Sequence, residues 1–282
     1  MEIYSENVCK LKREFVKMYK GNSHVTEILP NSPNDFIQME DNHLSLLHNF
    51  LEVNPIYSNQ ILEKIFDNKY TIFEGDLNNF WIDSIKHDAS YAPFYPTWML
   101  SAWGLACEAQ TLGFEQIVDI GSGDGRIAYC GKVLGIDSIS IEIDKNLVSM
   151  QETVAVKTGV NFNPICSDAT IYDFEKIPSK KSIFVIGGVP EIGEVLAESV
   201  IKNVLEIDHI LNPAFVLTGS HYHREFSRDT THFGWGTLLK KFQLSIISAI
   251  SLPTYWTMDQ KFDTPYIFTK KRIKHSNFLI IL

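Results

Sequence analysis

The chain has 282 residues, 45% of them apolar and 12% aromatic, enough to bury a large core in one domain or in a domain with an accessory piece, which argues against a disordered chain. A net charge of −9 and a pI near 5.5 oppose a broad basic surface that would grip nucleic acid. No uncharged apolar run reaches the ~18 residues needed to cross a bilayer.

Cys9, Cys107, Cys130 and Cys166 are scattered without a C-x-x-C pair, so reduced thiols are expected rather than a zinc knuckle or a disulfide framework. The opening MEIYSENVCKLKREF mixes both charges and lacks the apolar centre of a signal peptide, which points to a cytoplasmic, membrane-independent protein.

Residues 1–90 read as an acidic helical cap. Val8–Tyr19, Leu44–Leu51 and Ile61–Phe66 are expected as helices, and Pro30–Asn34 marks a loop. Fourteen acidic and eight basic residues in this region carry two-thirds of the net charge. Such a cap either covers one edge of a sheet or shapes a substrate pocket. A second domain, 91–282, begins at Tyr91-Ala-Pro-Phe-Tyr-Pro-Thr-Trp98, where two prolines stiffen an extended segment and Thr97 can cap the helix expected over Met99–Leu112. That segment is either a rigid linker with inward aromatics or a lid.

From Gln116 onward strands and helices alternate. Strands are expected at 116–120, 138–143, 163–167, 182–186, 214–218, 242–250 and 266–270, with helices over 125–134, 145–158 and 191–205. Seven strands with helices on both faces make a doubly wound α/β sheet.

The most informative stretch is Gln116–Arg126, QIVDIGSGDGR. A buried strand runs into a glycine-rich turn, which suits close approach of a nucleotide-like ligand. The dinucleotide spacing G-x-G-x-x-G is absent, because Arg126 stands at the third glycine position. Asp119 precedes the turn, where it would repel a diphosphate and attract an amino group. A ligand with a cationic end is favoured, and S-adenosylmethionine has both a sulfonium and an ammonium.

In an open α/β sheet the ligand lies beyond the carboxyl ends of the strands. Asp119 would then hold the ammonium, and the backbone of Gly121, Ser122 and Gly123 would pass close to the carboxylate and ribose. Glu142, followed by Ile143, ends the second strand, where a carboxylate can accept both ribose hydroxyls; a surface ion pair is its other reading. Asp168 can accept from the adenine amine while the Ala169 N–H donates to a ring nitrogen, or Asp168 can cap a turn. Gly187 opens the loop Gly187–Glu191 expected to face the methyl group. This loop lacks the [N/D/S]-P-P-[Y/F] sequence of enzymes that methylate adenine N6 or glutamine. His221 and His223 could deprotonate an acceptor, or they are solvated loop histidines. Together with His232 they match no metal-site spacing, so no metal is assigned.

VDIGSGDGRIA resembles motif I of the class I S-adenosylmethionine-dependent methyltransferases. It is similar in particular to the D-L-G-S-G-D-G-R signature of the FAM173-type and archaeal protein-lysine methyltransferases. Those proteins also carry P-x-x-P-[S/T] before the first strand, matched by Pro93, Pro96 and Thr97. The resemblance implies a final strand that returns antiparallel, S-adenosylmethionine as cofactor with S-adenosylhomocysteine as product, and a segment around Tyr95 that closes over the cofactor and borders a lysine channel. Tyr95, His221 and His223 are the candidate catalytic residues. The expected acceptor is a protein lysine amine, with a small molecule as the alternative acceptor and a SAM-binding regulatory module as the alternative function.

Overall fold

A computed structural model describes residues 1–78, 80, 94–220, 231–253 and 263–272. The N-terminal region contains helix α1 (Glu2–Met18), strand β1 (Val25–Pro30), helix α2 (Asp41–Val53), and strands β2 (Tyr57–Ile65) and β3 (Asn68–Gly75). The expected helices over Val8–Tyr19 and Leu44–Leu51 lie within α1 and α2. The helix expected at Ile61–Phe66 is instead the end of β2 and its turn, so the region is not wholly helical. Its three strands form an antiparallel sheet in the order β1-β3-β2.

The reason lies in β2, which buries only its end residues Tyr57 and Ile65 and exposes most of the side chains between them. Without one buried face it lacks the apolar alternation that marks a strand. Its pairing is set by a two-residue turn at Phe66 and Asp67, with φ of 47° and 64°, that brings Ile65 opposite Asn68. Positive φ at both positions defines a hairpin turn usually written with Asn-Gly or Asp-Gly.

The larger part follows as helix α3 (Met99–Thr111), strand β4 (Gln116–Ile120), helix α4 (Arg126–Val133), strand β5 (Asp137–Glu142), helix α5 (Lys145–Thr158) and strand β6 (Pro164–Cys166). Strand β7 (Ser182–Ile186), helix α6 (Pro190–Leu205), strand β8 (Ala214–Thr218), helix α7 (Gly236–Lys241), and strands β9 (Leu244–Pro253) and β10 (Asp263–Lys271) complete it. The seven strands lie in the order β6-β5-β4-β7-β8-β10-β9. Strand β10 runs antiparallel to both β8 and β9, and the β6–β8 ladders are parallel.

The central strands are buried on both faces, and successive residues go to opposite cores. Ile117, Ile183, Val185 and Val216 face the layer built by α1–α5 and the N-terminal sheet. Val118, Phe184, Phe215 and Leu217 face the layer that includes α6 and α7. Helix α1 lies along the sheet's β9 edge: Cys9 Sγ is 3.5 Å from Ser251 O, and Tyr4 Oη donates to Leu100 O at 2.7 Å.

A polar core joins the two parts. Arg126, 1% exposed, forms ion pairs with Asp124 and with Glu27 of β1. It also donates to Thr97 O at 2.7 Å and to Tyr57 Oη of β2 at 3.0 Å. The other Glu27 oxygen accepts from Met99 N at 2.8 Å, which satisfies the first turn of α3. Thr97 therefore does not cap that helix with its side chain, as its position suggested. The cap arrives from 72 residues upstream. Close by, the buried Lys12 Nζ has no hydrogen-bond partner among the described residues and lies 4.4 Å from the Trp98 ring centroid. Burial pushes its pKa down to about 8, against the pull of Glu27. Removing one member of a buried ion network leaves the others uncompensated. Glu27→Ala should therefore lower the unfolding free energy by about 3–5 kcal/mol, read from the midpoint of urea denaturation; a loss under about 1 kcal/mol would mean that Asp124 alone satisfies Arg126.

Candidate functional site

The carboxyl end of β4 opens directly into the turn Gly121–Gly125. Gly121, Gly123 and Gly125 adopt φ of 63°, 59° and 78°, values that L side chains rarely adopt. Backbone bonds fold the turn: Gly121 N and Ser122 N donate to Ile141 O of β5 at 2.9 and 3.2 Å, and Gly125 N donates to Ser122 O at 2.9 Å. A Cβ on Gly123 would overlap the Phe94 ring. The segment Phe94–Thr97, the strap, is thus seated on the turn.

Glu142 fixes the same turn from β5. Its Oε2 accepts from Gly123 N at 2.8 Å, and its Oε1 from Ile143 N and Asp144 N at 2.8 and 3.0 Å. A second brace comes from side chains that the sequence reading passed over. Gln151 Nε2 donates to Gly123 O at 2.7 Å and Ser122 Oγ at 3.1 Å, and Ser140 Oγ lies 2.7 Å from both Gln151 Oε1 and Ser122 Oγ. The available signal was phase. Gln151 shares the buried face of α5 with Leu147, Val148 and Val154, where a polar residue needs a partner.

A cavity of about 370 Å³ lies beyond these strand ends, within the ~300–1,000 Å³ range of small-molecule sites. Asp119, Gly121, Ser122, Gly123, Glu142, Ile143, Asp168, Ala169, Gly187 and Tyr95 all line it. The structure thus brings together every cofactor candidate and one of the three catalytic candidates. His221 and His223 lie outside the described residues, and His232 is not on the cavity wall. Val185, Leu196, Thr218 and Tyr266 extend the wall toward β8 and β10. None of the described residues 1–78 contributes to it.

Each carboxylate has a distinct environment. Asp119, 2% exposed, accepts from Ala128 N at 3.3 Å, and burial raises its pKa well above the usual aspartate range. Burial also raises Glu142, against its backbone donors. Asp168 Oδ1 accepts from Thr170 N and Oγ1 at 2.8 and 2.7 Å, the turn-capping role that competes with adenine recognition. Asp124, Asp144 and Arg126 also border the cavity, with the Asp124 and Arg126 side chains buried against each other and the Asp144 carboxylate accepting from Asn146 N and Leu147 N. Arg126 is already paired with two carboxylates, Asp124 and Glu27.

The chain matches no protein-family model and no curated protein. Its strand order with a single reversed strand is typical of the class I methyltransferase fold. Among solved structures it is similar to magnesium protoporphyrin IX methyltransferase from Synechocystis PCC 6803 with bound S-adenosylhomocysteine, at 10% identity over 62% of this chain and 83% of that one, TM-score 0.46. It is also similar to the 1,6-didemethyltoxoflavin-N1-methyltransferase of Burkholderia thailandensis, at 12% identity over 62% and 78% of the two chains, TM-score 0.47. A ribosomal protein L11 methylase from Lactobacillus delbrueckii subsp. bulgaricus aligns at 13% identity over 62% and 79%, TM-score 0.40. No helix among the described residues is long and apolar enough to cross a membrane.

A raised carboxyl pKa means that the folded state holds a proton more tightly than the unfolded chain. The stability contributed by protonated Asp119 is present below the ordinary aspartate range and lost as pH rises through the raised value. Asp119→Asn, which keeps an acceptor for Ala128 N, should therefore gain on the ligand-free wild type as pH rises from about 4 to about 8. Parallel melting-temperature profiles for the two proteins would contradict this assignment.

Proposed function

We propose that this chain is an S-adenosylmethionine-dependent methyltransferase acting on a protein lysine amine. The observation that carries the reading is the convergence of the glycine turn, Asp119 and Glu142 on one cavity at the carboxyl end of β4. The cradle suits an adenosyl ligand. Its turn leaves no room for a side chain at Gly123, and a Cβ at Gly187 would lie 3.0 Å from Gly121 O. Bound there, the cofactor supplies a methyl group already activated by its sulfonium, so the protein's work is alignment and exclusion of water.

In this reading Asp119 holds the methionine ammonium, and its raised pKa falls as the cation arrives. Glu142 has about four acceptor positions, of which backbone donors fill three. The two-hydroxyl grip expected from sequence narrows to one ribose contact at Oε2. Asp168 and Ala169 border the adenine, and Gly187 the methyl group. Tyr95, on the strap, faces the acceptor, with His221 and His223 as further candidates for its proton. A lysine acceptor is supported by two features: acidic residues that outnumber the one arginine along the cavity, and the P-x-x-P-T sequence of Pro93–Thr97. Phosphate-bearing acceptors would meet an unfavourable field.

Incubation with methyl-tritiated S-adenosylmethionine and cell extract should label a protein whose hydrolysate contains N-methyllysine. Label confined to small molecules would overturn the lysine acceptor, and absence of cofactor binding by calorimetry would overturn the whole reading. Glu142→Ala should weaken S-adenosylmethionine binding by about 2–3 kcal/mol, because it removes a charged acceptor together with the anchor of Gly123 N. Unchanged calorimetric affinity would sink the ribose assignment.

A further inference from the structure

The N-terminal sheet lines no part of the cavity, yet two of its side chains converge on Arg126, the residue that follows the glycine turn, and neighbouring Asn54 reaches Asp124 within that turn. Arg126 pairs with Glu27 of β1, donates to Tyr57 Oη of β2 at 3.0 Å, and holds Asp124, whose Oδ2 also accepts from Asn54 Nδ2 at 3.0 Å. The same guanidinium donates to Thr97 O at 2.7 Å. The strap is thereby pinned at both ends, with Phe94 filling the space above Gly123 of the turn and the Thr97 carbonyl on Arg126 at the start of α4. Beyond Thr97, Trp98 Nε1 donates to Thr26 O at 3.2 Å and Met99 N to Glu27 Oε2 at 2.8 Å. Each of these bonds joins the strap or its continuation to β1.

We infer that Arg126, oriented by Glu27 and Tyr57, is a positioning residue that holds the Phe94–Thr97 strap over the cofactor, so that the N-terminal sheet controls the rate at which the cofactor leaves. The inference rests on the cofactor reading above. Arg126 acts through the strap and the turn, and Tyr57 and Glu27 act through Arg126. Geometry explains why an arginine stands at the position where a dinucleotide site has glycine. A glycine there packs helix on strand, whereas a guanidinium presents five donors in a rigid fork. Here the fork reaches two carboxylates, a phenol and a carbonyl from four separate segments. A lysine offers a compact charge without that fork, so Arg126→Lys cannot satisfy all four partners at once.

The test uses the full chain and S-adenosylhomocysteine as probe, with dissociation followed by rapid competition. Tyr57→Phe removes one partner of the guanidinium without touching the cavity wall, and should speed dissociation by about fivefold or more while association changes little. Arg126→Lys should do the same to a greater degree. Phe94→Ala, which unseats the strap from Gly123, should speed dissociation by itself. The deciding measurement is the double variant. If Tyr57 acts through the strap, Tyr57→Phe adds little in the Phe94→Ala background, so the two effects are non-additive. A role confined to stability would lower the melting temperature of Tyr57→Phe and leave dissociation, measured well below that temperature, unchanged. That result would overturn the inference, as would independent effects in the double variant. Failure of the wild-type chain to bind S-adenosylhomocysteine would instead overturn the cofactor reading.

Discussion

A guanidinium with no access to water is the constraint around which this protein is arranged. Burying a charge costs several kcal/mol unless it is paired and its hydrogen bonds are met. Arg126 meets both conditions only by drawing partners from β1, β2, the strap and its own turn. Moving any of these segments would strand a buried charge. The glycine turn, a feature shared by many nucleotide sites, is here locked to a region that does not line the cavity. The same network explains how α3 starts without a capping side chain of its own, since Glu27 serves both the arginine and the helix.

The cavity shows a second economy. Glu142 and Gln151 hold the turn through its backbone, one from the end of a strand and the other from the buried face of a helix. Their polar atoms are largely committed before any ligand arrives. Asp119 differs, with one long bond to Ala128 N at 3.3 Å and a carboxyl that burial keeps reluctant to ionise. The site therefore combines a rigid frame with one acid whose charge state answers to a cation.

The parallel strands were legible because burial on both faces writes an uninterrupted apolar run. Strands 116–120, 182–186 and 214–218 sit where the sequence placed them, and the positive-φ turn announces itself by three glycines. The N-terminal hairpin was not legible. Strand β2 meets solvent along most of its length, and Phe66 and Asp67 take up left-handed backbone without the usual glycine, so neither periodicity nor turn chemistry marked it. Strand-end position anticipated that Asp119 and Glu142 would line the cavity. The partners of Arg126 could not be found this way, because Glu27 and Tyr57 become its neighbours only through tertiary packing. The capping of α3 by Glu27 was hidden for the same reason: local sequence offered Thr97, while the satisfying group came from another strand.

The span of the Glu27–Arg126 pair bears on how the molecule is made. The two residues are separated by 99 positions, and a ribosome delivers the acid long before the base. Until the turn after β4 has emerged, the N-terminal sheet carries a carboxylate without its partner and cannot complete its polar interior. Its assembly waits on the half that carries the glycine turn, a non-local dependence of the kind that slows folding. A synthesis pause before residue 126 would prolong exposure of that sheet, and a pause just after it would allow the two halves to close together.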